Sequence, residues 1–173
     1  MPGGSRLSDT STRWRSLSAG LREPKPALPT GVSLRTATPD DLDTVVALKK
    51  RVLRRDLEPL VGWDDVRSRE RVVEHFSPAH TFMILVDTAV AGTITLRPEP
   101  DALWLEMFYL DDEHQGRGIG TAVLRSVLAD APRDRPMRLQ VLVGSAARRL
   151  YERYGFVVED QDAVDIWMRR PVP

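Results

Sequence analysis

Three glycines fall within six residues at 115–120, QGRGIG, between the apolar run WLEMFYL and an apolar-periodic stretch that begins at Ile119. Inside a helix each would cost about 1 kcal/mol relative to alanine, so something here requires bare backbone. Glycine admits positive φ and lets a ligand approach the main chain, and a helix starting here leaves its first amide N–H groups unpaired and pointing outward. The chemistry is anion binding, and phosphate suits it best. A second group with chemical potential is Glu106, a lone carboxylate between Leu105 and Met107 in the preceding apolar run. Strict alternation puts it on the same face as Trp104, Phe108 and Leu110. A carboxylate desolvated in this way can relay a proton as a general base, or it can be a strand carboxylate paired with an arginine.

Positioning these groups takes a strand before the glycines and a helix after them, and both patterns are present. Ile119, Val123, Leu124, Val127 and Leu128 fall at helical spacing and mark one buried face. Upstream, VSLRTA reads as a strand. TPDDLDTVVALKKRVL reads as a helix with Thr38 as N-cap and Pro39 in the first turn, and DDVRSRERVVEHF as a second helix. TFMILVD and AVAGTITLRP form a hairpin pattern, and ALWLEMFYL follows as a third strand. Downstream come the strand PMRLQVLV, the short helix SAARRLYERYG closed by Gly155, and the strands FVVED and DIWMRR. The predicted order is β α α β β β α β α β β.

The 173-residue length fits one domain with a core that folds without staples. The chain has no cysteine, which excludes disulfides and thiolate zinc sites. Its formal net charge of zero argues against a general nucleic-acid binder. The longest apolar runs are far below the roughly 20 residues a bilayer span needs, and the N-terminus has no apolar signal core. A cytoplasmic protein bound to neither nucleic acid nor membrane is expected. Residues 1–30, rich in Ser, Pro, Gly and Arg, read as a disordered arm, or alternatively as a docking arm using Trp14; residues 31–173 are the folded domain. His75, His80 and His114 make no metal-binding pattern and read as surface groups, so no metal is expected.

Glycine-rich strand-to-helix turns also serve nucleotide sites. A dinucleotide-binding fingerprint would come at the start of a βαβ domain with an acid on the next strand, and here the motif is late and PMRLQVLV has no acid. A Walker loop would end in Gly-Lys-Ser/Thr, whereas residues 120–122 are Gly-Thr-Ala. The pattern Q-x-x-G-x-G at Gln115, Gly118 and Gly120, followed by an amphipathic helix, a strand and GSAARRLYERYGF at 144–156, resembles the GNAT acetyltransferase superfamily. The resemblance spans roughly residues 31–170. In the second motif Ala147, Tyr151, Gly155 and Phe156 match, while the family's usual Asn position is Gly144.

The resemblance implies a mixed α/β fold with a central, mostly antiparallel sheet flanked by helices, and acetyl-CoA as cosubstrate. It implies that amides of Gln115, Gly116, Arg117, Gly118, Ile119, Gly120 and Thr121 cradle the CoA pyrophosphate, with Arg117 either adding a charged contact or simply solvated. Phe108 and Leu110 would offer backbone contacts to the pantetheine arm, Ser145 would stand in for the missing Asn, and Tyr151 would be the general acid toward the leaving thiolate. Acceptor selection is expected in RDLEPLVGWDDVRSR, where Glu58, Trp63, Asp64 and Asp65 offer carboxylates and an indole to a cationic amine. The same residues can equally be a helix cap with Trp63 packed beneath. The activity implied is acetyl transfer to a primary amine by direct attack, on a small molecule or else on a peptide, protein or natural product. A CoA-binding module without turnover is the rival. Monomer and homodimer are both compatible with the sequence.

Overall fold

The computed structural model describes residues 26–172. Residues 1–25, most of the expected arm, lie outside them, and Leu28 packs against the larger core. The elements are β1 (Val32–Thr36), α1 (Leu42–Val61), α2 (Asp65–His75), β2 (Thr81–Val86), β3 (Ala89–Pro98), β4 (Leu103–Leu110), α3 (Ile119–Asp130), β5 (Met137–Leu142), α4 (Ala147–Arg153), β6 (Val157–Gln161) and β7 (Asp165–Arg170). Their order is the predicted one. The strands form one seven-stranded sheet, β1-β2-β3-β4-β5-β7-β6, antiparallel throughout except between β4 and β5. No helix among the described residues is long and apolar enough to cross a membrane.

Helix α1 runs further than its sequence pattern suggested. Thr38 caps a short 3-10 turn over Pro39–Asp41 before the helix begins, and Asp41 Oδ2 accepts from the Thr38 amide at 2.7 Å. At the other end the helix continues through Pro59 to Val61. Proline there removes only one backbone donor near the end of a helix rich in good helix formers, and Gly62, at φ 72, stops it. Much of the expected acceptor segment is therefore helix, and only residues 62–64 connect α1 to α2.

The sheet divides two cores. On one side Leu103, Leu105, Val123, Leu124, Leu139, Phe156, Ile166 and Met168 are buried beneath α3 and α4. On the other, Val45 of α1 and Val72 of α2 cover Met83 and Met107. Helices α1 and α2 do not extend over the rest of that side: Arg138 and Gln140 of β5 and Trp167 and Arg169 of β7, which alternate with the buried Leu139, Val141, Ile166 and Met168, are none of them buried.

Candidate active site

The sheet opens at its one parallel seam. β4 pairs with β5 through Leu103↔Met137, Trp104↔Arg138 and Leu105↔Leu139 only, so residues 106–110 have no strand partner on that side. A bulge coincides with the parting of the strands. Across β3 the register shifts between Thr95↔Glu106 and Thr93↔Tyr109, and Met107 sits at φ 44. Such an inserted residue bends its strand and raises the twist, which turns 106–110 away from β5.

The bulge overturns the expectation from alternation. Met107 and Tyr109 pack into the core beneath α1 and α2, whereas Phe108 and Leu110 join Leu103 and Leu105 in the core beneath α3 and α4. Glu106 keeps the side of Trp104 and loses that of Phe108 and Leu110.

At the open end of the cleft stands the glycine loop. Gln115 Nε2 donates to the Leu110 carbonyl at 2.7 Å and to Asp112 Oδ1 at 3.0 Å, tying the loop back to the end of β4. Arg51 of α1 holds Asp111 through Nη2 at 2.7 Å and keeps its carboxyl below the usual carboxylate range. Gly116 and Gly118 have φ of 70° and 78°, the left-handed region that glycine enters without strain. Gly120 lies in the first turn of α3, where a Cβ would meet Phe108 Cζ at 3.9 Å and Leu110 Cδ2 at 4.0 Å, so the helix start rests on the end of β4. The first amide bond of α3 runs from Ala122 to the Gly118 carbonyl at 3.0 Å. Among the described residues no acceptor meets the amides of residues 116–121, six in succession. The exposed Arg117 adds a guanidinium beside them. Unpaired amides at the positive end of a helix, preceded by two loop amides, are an arrangement that suits an anion.

Tyr151 on α4 belongs to the core beneath α3 and α4. It is 5% exposed and meets Phe156 edge-on at a centroid distance of 5.8 Å. Burial pushes its phenol well above the ordinary range, so it is a proton donor and not a phenolate under physiological conditions. Tyr109, which sequence reasoning passed over as part of an apolar strand, shares this character. Its phenol is raised first by burial and then by the charges of Glu106 and Tyr151, which places the three groups within electrostatic reach of one another. The only signal for it in the sequence was a tyrosine near the strand end; the bulge decides which way it faces.

Glu106 is paired. Arg97 Nε donates to Oε2 and Arg97 Nη2 to Oε1, both at 2.9 Å, and Arg97 also contacts Glu99. His75 at the end of α2 brings Nδ1 to 3.8 Å from Oε1. The arginine pair is present, and it orients the carboxylate. The histidines are less superficial than expected: His114 has a 16% exposed side chain whose Nδ1 is buried without a partner, and His80 is held below its ordinary pKa by burial and then by Arg97. Among the described residues no group of three His, Cys, Asp or Glu side chains is arranged to hold a metal ion.

Ser145 Oγ accepts the Ala147 amide at 3.2 Å at the start of α4, a local cap that leaves its hydroxyl proton free to donate. The four residues expected to meet the acceptor are occupied with one another and with α1. Asp64 caps α2 by accepting from the Arg67 amide at 2.8 Å. Asp65 takes Lys50 at 2.9 Å and the Trp63 indole N–H at 2.8 Å, and Glu58 pairs with Arg54 at 3.3 Å. They cap and brace helices, the second of the two roles these residues could have.

The sequence from residue 50 to residue 156 matches the model of the acetyltransferase (GNAT) family. The chain belongs to that family. None of the curated proteins is similar enough in sequence to match. Among solved structures, the GNAT chain shares 20% identity with the PaiA N-acetyltransferase of Thermoplasma acidophilum in complex with coenzyme A, at a TM-score of 0.63 over 81% of this chain and 98% of that one. The ribosomal-protein-S18-alanine N-acetyltransferase of Escherichia coli shares 18%, at a TM-score of 0.62 over 82% and 94%. A Pyrococcus horikoshii protein assigned as an acetyltransferase shares 20%, at 0.61 over 81% of this chain but only 48% of its own length. At these identities the likeness is one of fold. Membership of this family supports acetyl-CoA or CoA as a bound substrate.

Proposed function

We propose that this protein moves the acetyl group of acetyl-CoA to a primary amine by direct attack, in a complex holding both substrates. One observation carries the reading: six unpaired amides at 116–121 follow a β4 segment, residues 106–110, that has no strand partner on its β5 side. The first set suits a pyrophosphate and the second the amides of a pantetheine arm, so a CoA thioester laid along β4 has its reactive end at the point where β4 and β5 part.

An alkylammonium has a pKa of ~10, so at neutral pH only about one molecule in a thousand is the free nucleophile, a handicap of roughly 4 kcal/mol. Glu106, oriented by Arg97 and close to His75, is the group placed to draw a proton from the ammonium, directly or through water. The amine nitrogen then forms its bond to the thioester carbon while a backbone N–H of 106–110 bonds the carbonyl oxygen; as the carbon–sulfur bond breaks, the nitrogen releases its second excess proton to water and becomes a neutral amide. Tyr151 gives its phenolic proton to the departing thiolate and recovers one from solvent.

A shallow acceptor groove favours an amine presented by a peptide or protein over one enclosed in a pocket. Next to the parting strands the sheet offers an open trough of about 300 Å³ lined by Trp104, Arg138, Glu159, Asp160 and Trp167. That observation supports a chain-like acceptor as the second reading. Release of free CoA from acetyl-CoA on addition of an amine panel tests the transfer. Saturation by one or more amines is expected; CoA-dependent thermal stabilisation with no release by any amine would establish the module without turnover.

A further inference from the structure

The indole-and-carboxylate pair sought at Trp63 and Asp65 is closed on itself. The tertiary structure assembles another from four strands. Trp104 on β4, Arg138 on β5, Trp167 on β7 and Glu159 with Asp160 on β6 line one open trough on the side of the sheet that Glu106 faces. Trp104 is two residues from Glu106 along β4, roughly 7 Å. Trp167 lies opposite Gln140, two residues along β5 from Arg138, the partner of Trp104.

The charges in the trough are unequally used. Arg138 is spent, with Nη1 on Asp101 at 3.0 Å and Nη2 on Glu159 at 3.1 Å. Asp160 has no ion partner among the described residues, and its Oδ1 accepts only the neighbouring Gln161 amide at 2.8 Å. The lining thus holds two carboxylates against one guanidinium, between two half-buried indoles. Arg169, in register with Arg138, does not line it. Aromatic faces with surplus negative charge attract a cation, and strongly so when the cation carries an apolar stem to lay on the rings.

We infer that the Trp104–Trp167 trough is an acceptor subsite for a second positive charge, held about 7 Å or more from the amine that is acetylated. The inference rests on the acetyl-transfer reading above. Two kinds of molecule have this chemistry, a free diamine and a peptide with a basic residue next to its N-terminus. In the first the trough holds the far ammonium. In the second it holds the side chain of the second residue, while the α-amine reaches the thioester.

Two matched pairs of acceptors separate these sources and test the subsite: 1,6-diaminohexane against hexylamine, and Ala-Arg-Ala against Ala-norleucine-Ala. The charged member of at least one pair is expected to have the higher kcat/KM, roughly two- to thirtyfold, through a lower KM. The pair that shows the preference identifies the source. Asp160→Asn, an exposed position that tolerates the change, should pull the ratio toward one while the KM for acetyl-CoA stays put; Trp167→Leu should do so more strongly. CoA release without a charged preference in either pair overturns the subsite and leaves the transfer standing. A preference that survives both substitutions overturns it as well. If no amine of the wider panel releases CoA, the transfer itself fails, and the subsite with it.

Discussion

Two regions stood out in the sequence, the glycine loop at 115–120 and the segment from Glu58 to Asp65, and they differ in one physical respect. In the loop the main chain leaves six successive amides without acceptors, while the Gln115 side chain is used only to hold the loop in place. In the helix-to-helix segment every singled-out side chain has found a neighbour: Asp64 a helix end, Asp65 a lysine and an indole, Glu58 an arginine. An unpaired buried or oriented polar group costs free energy until a ligand satisfies it, whereas satisfied groups have little left to offer. Residue types alone rank the two regions alike; pairing separates them.

The comparison can be broken by experiment, and the largest effect should come from the cleft. Tyr151→Phe is expected to lower kcat by about 10²- to 10⁴-fold with CoA binding intact, since its hydroxyl makes no hydrogen bond to another described residue and only the leaving group loses its proton donor. Because burial holds that phenol above its ordinary pKa, the alkaline side of the wild-type rate profile should show no fall from Tyr151 up to about pH 10. A Tyr151→Phe enzyme of normal rate would return this residue to packing.

Next comes the loop itself. Ligand binding at a hundredfold excess over Kd stabilises a fold by about 2.7 kcal/mol, and Gly118→Val should abolish that shift for CoA by forcing a β-branched residue to φ 78 at the head of the cradle. Melting curves with and without CoA read it directly. A variant that folds and is stabilised as the wild type is would remove phosphate from the loop.

Glu106→Gln sits between the regions, because Glu106 lies in the cleft and is nonetheless paired with Arg97. If it draws the proton, turnover falls at neutral pH and recovers as the acceptor deprotonates unaided at high pH. A pH-independent loss accompanied by a lower Tm would assign it to structure alone. The smallest effects belong to the helix-to-helix segment. Asp64→Ala should cost about 1 kcal/mol of stability as a lost N-cap, and Trp63→Ala no more than about 0.5 kcal/mol, with the KM for the amine unchanged in both. A raised amine KM with normal Tm in Trp63→Ala would put the acceptor back where residue types first suggested it.

How far each region was legible follows from what each depends on. The glycines act through their own backbone, so their meaning survives translation from sequence to structure with little help. The fate of Glu106 was set by Arg97, nine residues away across a hairpin, and its face by a bulge at Met107 that no alternation pattern announces. Tyr109 was hidden for the same reason. The Trp104–Trp167 trough needed four strands brought together in the order β4-β5-β7-β6, which joins residues more than sixty positions apart.

By itself the sequence determined the element order and the glycine-rich turn from strand to helix, because apolar period, turn chemistry and glycine freedom are local quantities written within a dozen residues. The length of α1, the parting of β4 from β5, and the question of which charges are spent and which remain for a ligand were decided only in the tertiary structure. Pairing of charges and strands is settled by partners distant along the chain, and a side chain's availability is what remains after all of them have been placed.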